Sequence, residues 1–275
     1  MTAPLVVAAQ ELRAGVRNRW VIATTLLLAA LALSLALLGS APTGTLGADP
    51  LAVVVASLAS LSIFLVPLIA LLLSFDAVVG EAERGTLLLL LSYPLARWQI
   101  VVGKFLGHAT ILALAIVLGY GAVAVVLLLT EQVALQAWSA FATLIGSTIL
   151  LGAAFLALGA LSSVVVRERA TAAGLAVTLW LLFVLIYDSA LLGLLVADQG
   201  RIVTPAVVDA LLLLNPADAY RLLNLAGDEA VATLAGMAGP GEAARLPQGL
   251  LLASLAGWIA APLGLAVVVF GRRQP

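Results

Sequence analysis

Long runs without a charged side chain constrain this 275-residue chain more than any other feature of its sequence. Residues 20–38, 51–75 and 105–130 contain no Asp, Glu, Lys or Arg, and further apolar segments follow. A helix needs about 20 apolar residues to cross the hydrocarbon core of a bilayer. Since 64% of the chain is hydrophobic and only 10% is charged, this apolar surface is too large for one buried core and must face lipid.

The chain is therefore predicted to be an all-α membrane protein with a single domain, residues 1–275. Six transmembrane helices are expected. Pro67 is expected to kink the second of them, and the fifth either ends near Asp188 or continues towards Ala197. The predicted spans are residues 20–38, 51–75, 105–130, 138–166, 170–196 and 249–271.

Residues 3–19 are predicted to form an amphipathic helix ahead of the first span. At helical spacing its apolar face consists of Leu5, Ala9, Leu12 and Val16. Such a helix can lie flat in the headgroup layer and lead into a span. A simple cytoplasmic extension of the first span is the alternative.

The positions of Lys and Arg predict the orientation, because these residues are in excess in cytoplasmic loops. If the N-terminus is cytoplasmic, ten of the 13 basic residues are cytoplasmic too, and only Arg201, Arg221 and Arg245 lie on the other side. Six spans also bring both termini to one side, and both termini are rich in arginine. We therefore expect both termini in the cytoplasm and residues 197–248 outside.

Charge is concentrated between the second and third spans, in residues 76–104, which hold three of the 14 acidic and three of the 13 basic residues. The five leucines at 87–91 are too few to span a bilayer, so they predict a short cytoplasmic helix. Gly85 permits a turn before it, Thr86 can cap it, and Tyr93-Pro94 stops it. These leucines must bury against the bundle or a partner, although an ordinary amphipathic loop helix is the simpler interpretation.

The sequence lacks the residues that catalytic, nucleotide and metal sites usually need. It has no cysteine and one histidine, His108, whereas a soft-metal site needs clustered thiolate, thioether or imidazole ligands. Gly103-Lys104 resembles the end of a phosphate-binding loop, but Trp98 replaces its first glycine and Phe105 replaces its magnesium-binding Ser or Thr. We predict no enzymatic activity, no metal site and no cofactor in this chain. The lack of a basic stripe with interleaved aromatics argues against nucleic acid binding.

The outer segment, residues 197–248, is predicted to contain short helices. Thr204-Pro205 and Asn215-Pro216 each combine an N-cap residue with proline at the first helical position. The leucines of this segment need cover, which either the bundle or an extracytoplasmic partner supplies. Asp188 is either an ordinary helix-end residue or a contact for a substrate, since intramembrane carboxylates are costly and usually functional.

The charged segment resembles the signature of ABC-2 type transporter permeases. Glu83-Arg84-Gly85-Thr86-Leu87 precedes the leucine run, Pro94 and Arg97 follow it, and Gly103-Lys104 opens the third span. Glu11-Leu12-Arg13 and Asn215-Pro216 extend the resemblance along the chain. Within the family the similarity is greatest to permeases that serve maturation of nitrous oxide reductase, and the stretches that carry it are 17–20, 56–61, 66–73, 75–81 and 103–108.

The resemblance implies a permease subunit of a transporter in the bacterial inner membrane. It implies a homodimer that carries two copies of a separate cytoplasmic ATPase, which would bind ATP and magnesium, and a periplasmic partner. It also implies a role in assembling the copper–sulfur centre of the reductase. The residues that would couple the permease to the ATPase are Glu81, Glu83, Arg84, Gly85, Thr86, Leu87, Pro94, Arg97 and Lys104.

Two mechanisms stay open at this point. The dimer could move a small sulfur or copper species through its interface, or it could transmit motion across the membrane to a periplasmic partner. A general exporter of another small molecule or lipid is an alternative function. An ATP-independent membrane scaffold is another, but it would not need the charged segment.

Overall fold

A computed structural model of the protein describes residues 3–17, 19–39, 50–130, 137–198, 203–225 and 246–273. Helices form the regular structure of these residues, which confirms the all-α prediction for them. The first half contains α1 (Ala3–Val16), α2 (Arg19–Gly39), α3 (Pro50–Ser74), α4 (Val79–Glu83), α5 (Thr86–Ser92) and α6 (Arg97–Thr130). The second half contains α7 (Ala137–Val165), α8 (Arg169–Leu181), a π-helical segment (Leu182–Ile186), α9 (Tyr187–Asp198), α10 (Pro205–Leu213), α11 (Pro216–Leu225) and α12 (Gln248–Arg272).

Among the described residues, five helical stretches are long and apolar enough to cross a membrane. They include α3, α6, α7, α12 and the continuous run Arg169–Asp198, which passes through the π-helical segment. This makes the chain a multi-pass membrane protein. The fifth predicted span continues past Asp188, the longer of the two predicted versions. The remaining predicted span, the first, corresponds to α2, whose described apolar part is Ile22–Leu35, so the count of six stays a prediction.

The core of the bundle lies around α7, which packs against α3, α6 and α12. Phe155 and Leu156 are fully buried there. Gly152 and Gly159 have no room for a β-carbon, because Leu112 of α6 and Ser74 of α3 lie against them. These small residues let the helices approach closely.

Helix α6 begins well before the predicted third span. Its 34 residues correspond to about 51 Å of helix, against about 30 Å of hydrocarbon. Its first turns therefore extend beyond the hydrocarbon core and belong to the charged segment. They are helical because Ile100 and Val101 are buried in an apolar cluster with Leu87 and Phe270, which stabilises a helix that the charge pattern alone did not predict.

Helix α1 lies along these first turns of α6. A β-carbon on Gly103 would lie 2.6 Å from Val7 Cβ, and one on Gly107 would lie 2.5 Å from Glu11 Cβ. By contrast, Leu5 of the predicted apolar face is 48% exposed. Gly103 and Gly107 of α6 thus determine which face of α1 packs against the bundle, and Leu5 of the predicted apolar face lies outside that contact. The interfacial position of α1 stays a prediction.

Helix α11 is inserted into the bundle and packs against α3, α7 and α12. Asn215 caps it as predicted, since its side-chain oxygen accepts a hydrogen bond from the Ala217 amide at 3.0 Å. Helix α10 begins at Pro205 as predicted, but the Thr204 side chain makes no capping hydrogen bond. The bundle covers Leu225 of α11, whereas Leu214 at the end of α10 is 58% exposed.

Candidate functional site

Residues 76–104 fold into α4, α5 and the first turns of α6, and α7 holds the start of this segment. The Ser163 hydroxyl accepts hydrogen bonds from the amides of Val78 and Val79, at 2.9 and 3.1 Å. Gly85 separates α4 from α5 with a φ of 72°, a left-handed conformation that favours glycine. The turn predicted at Gly85 is thus confirmed.

The short helix predicted after Gly85 is also confirmed, and it ends at Ser92, just before the extended residue Tyr93. The capping role predicted for Thr86 was wrong. Gly85 occupies the N-cap position, and Thr86 is the first helical residue. Its hydroxyl instead donates to the Glu81 carbonyl at 3.3 Å, so it joins α5 back to α4.

Helix α5 has one buried and one exposed face. Leu87 is 6% exposed and packs in the cluster with Ile100 and Phe270. Leu90 and Leu91 pack partly against the same cluster, and Pro94 is exposed. The large exposed apolar side chains of this region are Leu88 (61%) and Leu89 (66%) of α5, Tyr93 (66%) directly after it, and Trp98 (49%) in the first turn of α6. We call these four residues the apolar patch.

Arg97 caps the end of α12 rather than pointing away from the chain. Its guanidinium donates to the carbonyls of Phe270, at 3.2 Å, and of Arg273, and it lies 6.0 Å from the centre of the Phe270 ring. Arg273 in turn donates to the Val164 carbonyl near the end of α7, at 2.7 Å. Both arginines satisfy carbonyls that a helix C-terminus leaves without partners.

Glu83 and Asp76 are held by the turn between α7 and α8. The Glu83 carboxylate accepts a hydrogen bond from the Arg169 amide at 2.6 Å, and the Arg169 side chain pairs with Asp76 at 3.0 Å. The carboxylate of Glu83 thus lies at the N-terminus of α8, where a helix favours negative charge. Arg84 is exposed.

Lys104 and Glu81 form a buried ion pair with a third helix. Lys104 is 4% exposed, and its ammonium donates to Glu81 Oε1 at 2.6 Å and to Glu11 of α1. His108 Nε2 lies 3.7 Å from the other oxygen of Glu11. In the described part of the chain, no group of three or more His, Asp or Glu side chains is arranged to hold a metal ion.

The structure thus divides the predicted coupling residues into two groups. Glu81, Glu83, Arg97 and Lys104 contact other helices of the same chain. Arg84 and Pro94 are exposed. The apolar patch is exposed too, but its four residues were not among the predicted coupling residues. Sequence reasoning did not identify Glu11 or Arg169 as site residues. Glu11 was visible only within the motif Glu11-Leu12-Arg13, and nothing in the sequence pointed to its partner.

Asp188 belongs to a second charged cluster at the other end of the fifth helical run. Its carboxylate pairs with Arg221 at 2.6 Å, and Arg221 also pairs with Asp218 at 2.8 Å. Asn215 donates to Asp218 and to the Phe183 carbonyl, each at 2.9 Å. Burial raises the pKa of Asp218 to about 7, the Arg221 guanidinium opposes this rise, and the Asp188 carboxylate adds to it. These contacts hold α11 against the π-helical segment and α9. The contact that the structure shows for Asp188 is thus one between helices of the same chain.

Comparison with known proteins identifies the class of protein to which this fold and charged segment belong. A family model described as "ABC-2 family transporter protein" matches residues 5–274. The chain therefore belongs to the ABC-2 family and is a permease, a transport component of an ABC transporter. This confirms the family indicated by the charged segment.

Two relatives show which permeases the chain is similar to along its length. The chain is 48% identical over 269 residues to "Probable ABC transporter permease protein NosY" of Stutzerimonas stutzeri. It is 49% identical over 271 residues to the protein of the same name from Pseudomonas aeruginosa. Each alignment covers 97% of this chain and 97% of the relative, so the similarity extends over essentially the whole permease.

Proposed function

We propose that this permease is driven by a separate cytoplasmic ATPase and serves maturation of the copper–sulfur centre of nitrous oxide reductase. Its similarity to the NosY permeases supports the biological role. The lack of a phosphate-binding loop in the sequence supports an ATPase on another chain. We place the permease in the bacterial inner membrane with six spans, α2 being the first, and with both termini in the cytoplasm.

The observation that carries the coupling role is the apolar patch beside Arg84. An exposed apolar patch on and beside a short helix outside the hydrocarbon core is a typical docking surface for a protein. Leu87 anchors the same helix from its buried side. We therefore assign docking to the patch, with Arg84 as its charged contact, and assign Glu81, Glu83, Arg97 and Lys104 to holding α4 and α5 on the bundle.

Docking at α5 would move several helices together. The chain connects α5 directly to α6, and Arg97 fastens the beginning of α6 to the end of α12. Closure of two ATPase copies on ATP would therefore shift a permease dimer between two conformations. A periplasmic partner would receive this motion at residues 197–248. The scarcity of metal ligands favours transmission of motion, or movement of a sulfur species, over conduction of copper.

Co-expression with the cognate ATPase tests this proposal. Gly85→Pro is incompatible with the φ of 72° at this turn, Arg84→Glu reverses the exposed charge, and Leu89→Ser removes part of the patch. We expect each variant to lose recovery of the ATPase with the permease and to lose membrane-coupled ATP hydrolysis. Val165→Ser is the matched control, because Val165 is 57% exposed beside Val164 of the same apolar cluster. Full activity of all three variants would refute the coupling role of α5.

A further inference from the structure

An open groove lies between the end of α10 and the first half of α12. Its volume is about 560 Å³, which is within the range of ligand-binding pockets. From Leu250 to Pro262 it follows about 18 Å of helix, and one leaflet contributes about 15 Å of the hydrocarbon core. The groove is therefore about as long as one leaflet is deep. Its lining is apolar and includes Leu213 of α10 and, in α12, Leu250, Ala253, Gly257, Trp258 and Pro262.

Helix α10 runs back into the membrane alongside α9. Just before α10, the Val203 amide donates to Asp198 at the end of α9, at 2.8 Å. Near the other end of α10, the Leu211 carbonyl accepts a hydrogen bond from the Tyr187 hydroxyl at 2.6 Å. Tyr187 and Asp198 are about 16 Å apart along α9, so α10 descends from the end of this candidate span. The groove therefore begins near the membrane surface and runs inward along α12.

The polar groups beside the groove are satisfied within the chain. The Leu213 carbonyl, at the end of α10, accepts hydrogen bonds from the Ser254 hydroxyl at 2.7 Å and from the Trp258 indole at 3.4 Å. At Gly257 no described atom lies within 4 Å of the place where a β-carbon would be, so the floor of the groove is open. An apolar groove at this depth accepts a hydrocarbon chain, because its backbone groups need no partner from outside.

Asp209 lies at the outer end of the groove. It is one helical turn before Leu213 and therefore on the same side of α10. Leu250 is likewise one turn before Ser254, the partner of Leu213, so Asp209 and Leu250 lie at a similar depth. One oxygen of Asp209 is buried without a hydrogen-bond partner among the described residues. A carboxylate in this situation is costly, and a cation beside it would compensate its charge.

We propose that the groove binds one acyl chain of a phospholipid that has an amine head group. The acyl chain lies along α12 over Gly257, and the ammonium group of the lipid pairs with Asp209. The lipid comes from the leaflet on the side of residues 197–248, and it supports the end of α10 as a bound structural ligand. Binding needs no ATPase, so this inference goes beyond the proposed function and does not depend on it.

Native mass spectrometry of the purified, delipidated permease tests the proposal, by titration with phosphatidylethanolamine or with phosphatidylglycerol. We expect the wild type to bind the first phosphatidylethanolamine roughly fivefold more tightly than the first phosphatidylglycerol, as one partly exposed ion pair provides. Asp209→Asn should bind the two lipids equally, because it lacks the charge. Gly257→Leu should lose the first, tightly bound lipid of either kind, because its side chain fills the floor of the groove.

Gly264→Leu is the matched control. It lies on the same helix and has open space around its β-carbon position, but it is beyond the groove, so it should bind both lipids as the wild type does. Ala253→Leu fills the groove one turn earlier and replaces Gly257→Leu if that variant does not fold. Wild-type affinity for phosphatidylethanolamine in the groove variant would overturn the proposal. Equal affinity of the wild type for the two lipids would overturn the pairing with Asp209.

A second copy of the permease is the other occupant that such a groove could take. Because the chain has no cysteine, Ala253→Cys in membranes reports this contact directly on mild oxidation. We expect it to stay monomeric on a non-reducing gel. A disulfide-linked dimer would place a second copy at the groove and overturn the assignment to a lipid.

Discussion

Single charged residues in this permease act mainly within the chain. Arg97 and Arg273 cap helix ends, Arg169 holds two carboxylates, and Lys104 joins three helices. In a chain with so few charges, each of these residues binds carbonyl or carboxylate groups of other helices in an otherwise apolar bundle. Lone charges near the hydrocarbon are costly, so they survive where a partner compensates them.

Asp218 gives a prediction at this scale. Its pKa in the folded protein is raised to about 7, above the 3.8 expected for an exposed carboxyl. The folded state therefore binds the proton more tightly, and this contribution to stability is present at low pH and lost as the pH rises towards 7. We expect the thermal unfolding midpoint of the purified protein to decrease as the pH rises from about 4 to about 7.

The Asp218→Asn variant should largely lose this dependence, because it has no carboxyl to titrate while its size is unchanged. Thermal unfolding in detergent at several pH values measures the effect. An equal slope in the wild type and the variant would show that another group is responsible.

At the scale of elements, the seating of α1 on α6 depends on two glycines. Gly103 and Gly107 are one helical turn apart, and a β-carbon on either would collide with α1. Elsewhere on α6, Gly121 has open space where its β-carbon would be. Close packing of α1 therefore requires glycine at positions 103 and 107 of α6, but no packing contact requires it at position 121.

Gly107→Ala is expected to push α1 away from α6 and to lower the free energy of unfolding by about 1–3 kcal/mol, the usual cost of overpacking. Gly121→Ala should not lower the free energy of unfolding, because the added methyl group meets no neighbour. Unfolding midpoints of the two variants, compared with the wild type, measure the difference. A wild-type midpoint for Gly107→Ala would contradict the close seating of α1.

At the scale of the whole molecule, the fifth helical run is the least covered of the candidate spans. Only 6% of the most apolar window of Arg169–Asp198 is buried, against 72% for the window within Trp138–Val165. Gly174 lies on this run with nothing near its β-carbon position. We propose that a second copy of the permease covers this face in the assembled transporter.

Because the chain has no cysteine, single cysteines report this contact cleanly. Gly174→Cys in membranes should form a disulfide-linked dimer on mild oxidation, detected on a non-reducing gel. Leu118→Cys is the control: Leu118 is 65% exposed on α6 and should stay monomeric. No cross-link at Gly174 or at neighbouring exposed positions of α8, in a complex that still binds the ATPase, would place the dimer interface elsewhere.

Most of the helical plan could be predicted from the sequence. The apolar runs locate the long helices to within a few residues, and Asn215-Pro216 marks the start of α11. The start of α6 at Arg97 was missed, because its first turns are stabilised by Ile100 and Val101 against residues distant in sequence. The face of α1 that packs against the bundle could not be predicted for the same reason, since glycines on another helix determine it.

What the sequence by itself determined is which segments are helical, which face lipid, and where charge must be concentrated, because these follow from local composition and from the cost of placing charge in hydrocarbon. Only the tertiary structure decided what each charge does. Residues far apart in sequence, such as Glu11 and Lys104 or Arg97 and Phe270, become partners through helix packing, and a single sequence carries no record of that packing. The structure thereby separates the charges that hold residues 76–104 on the bundle from the apolar patch, which stays exposed.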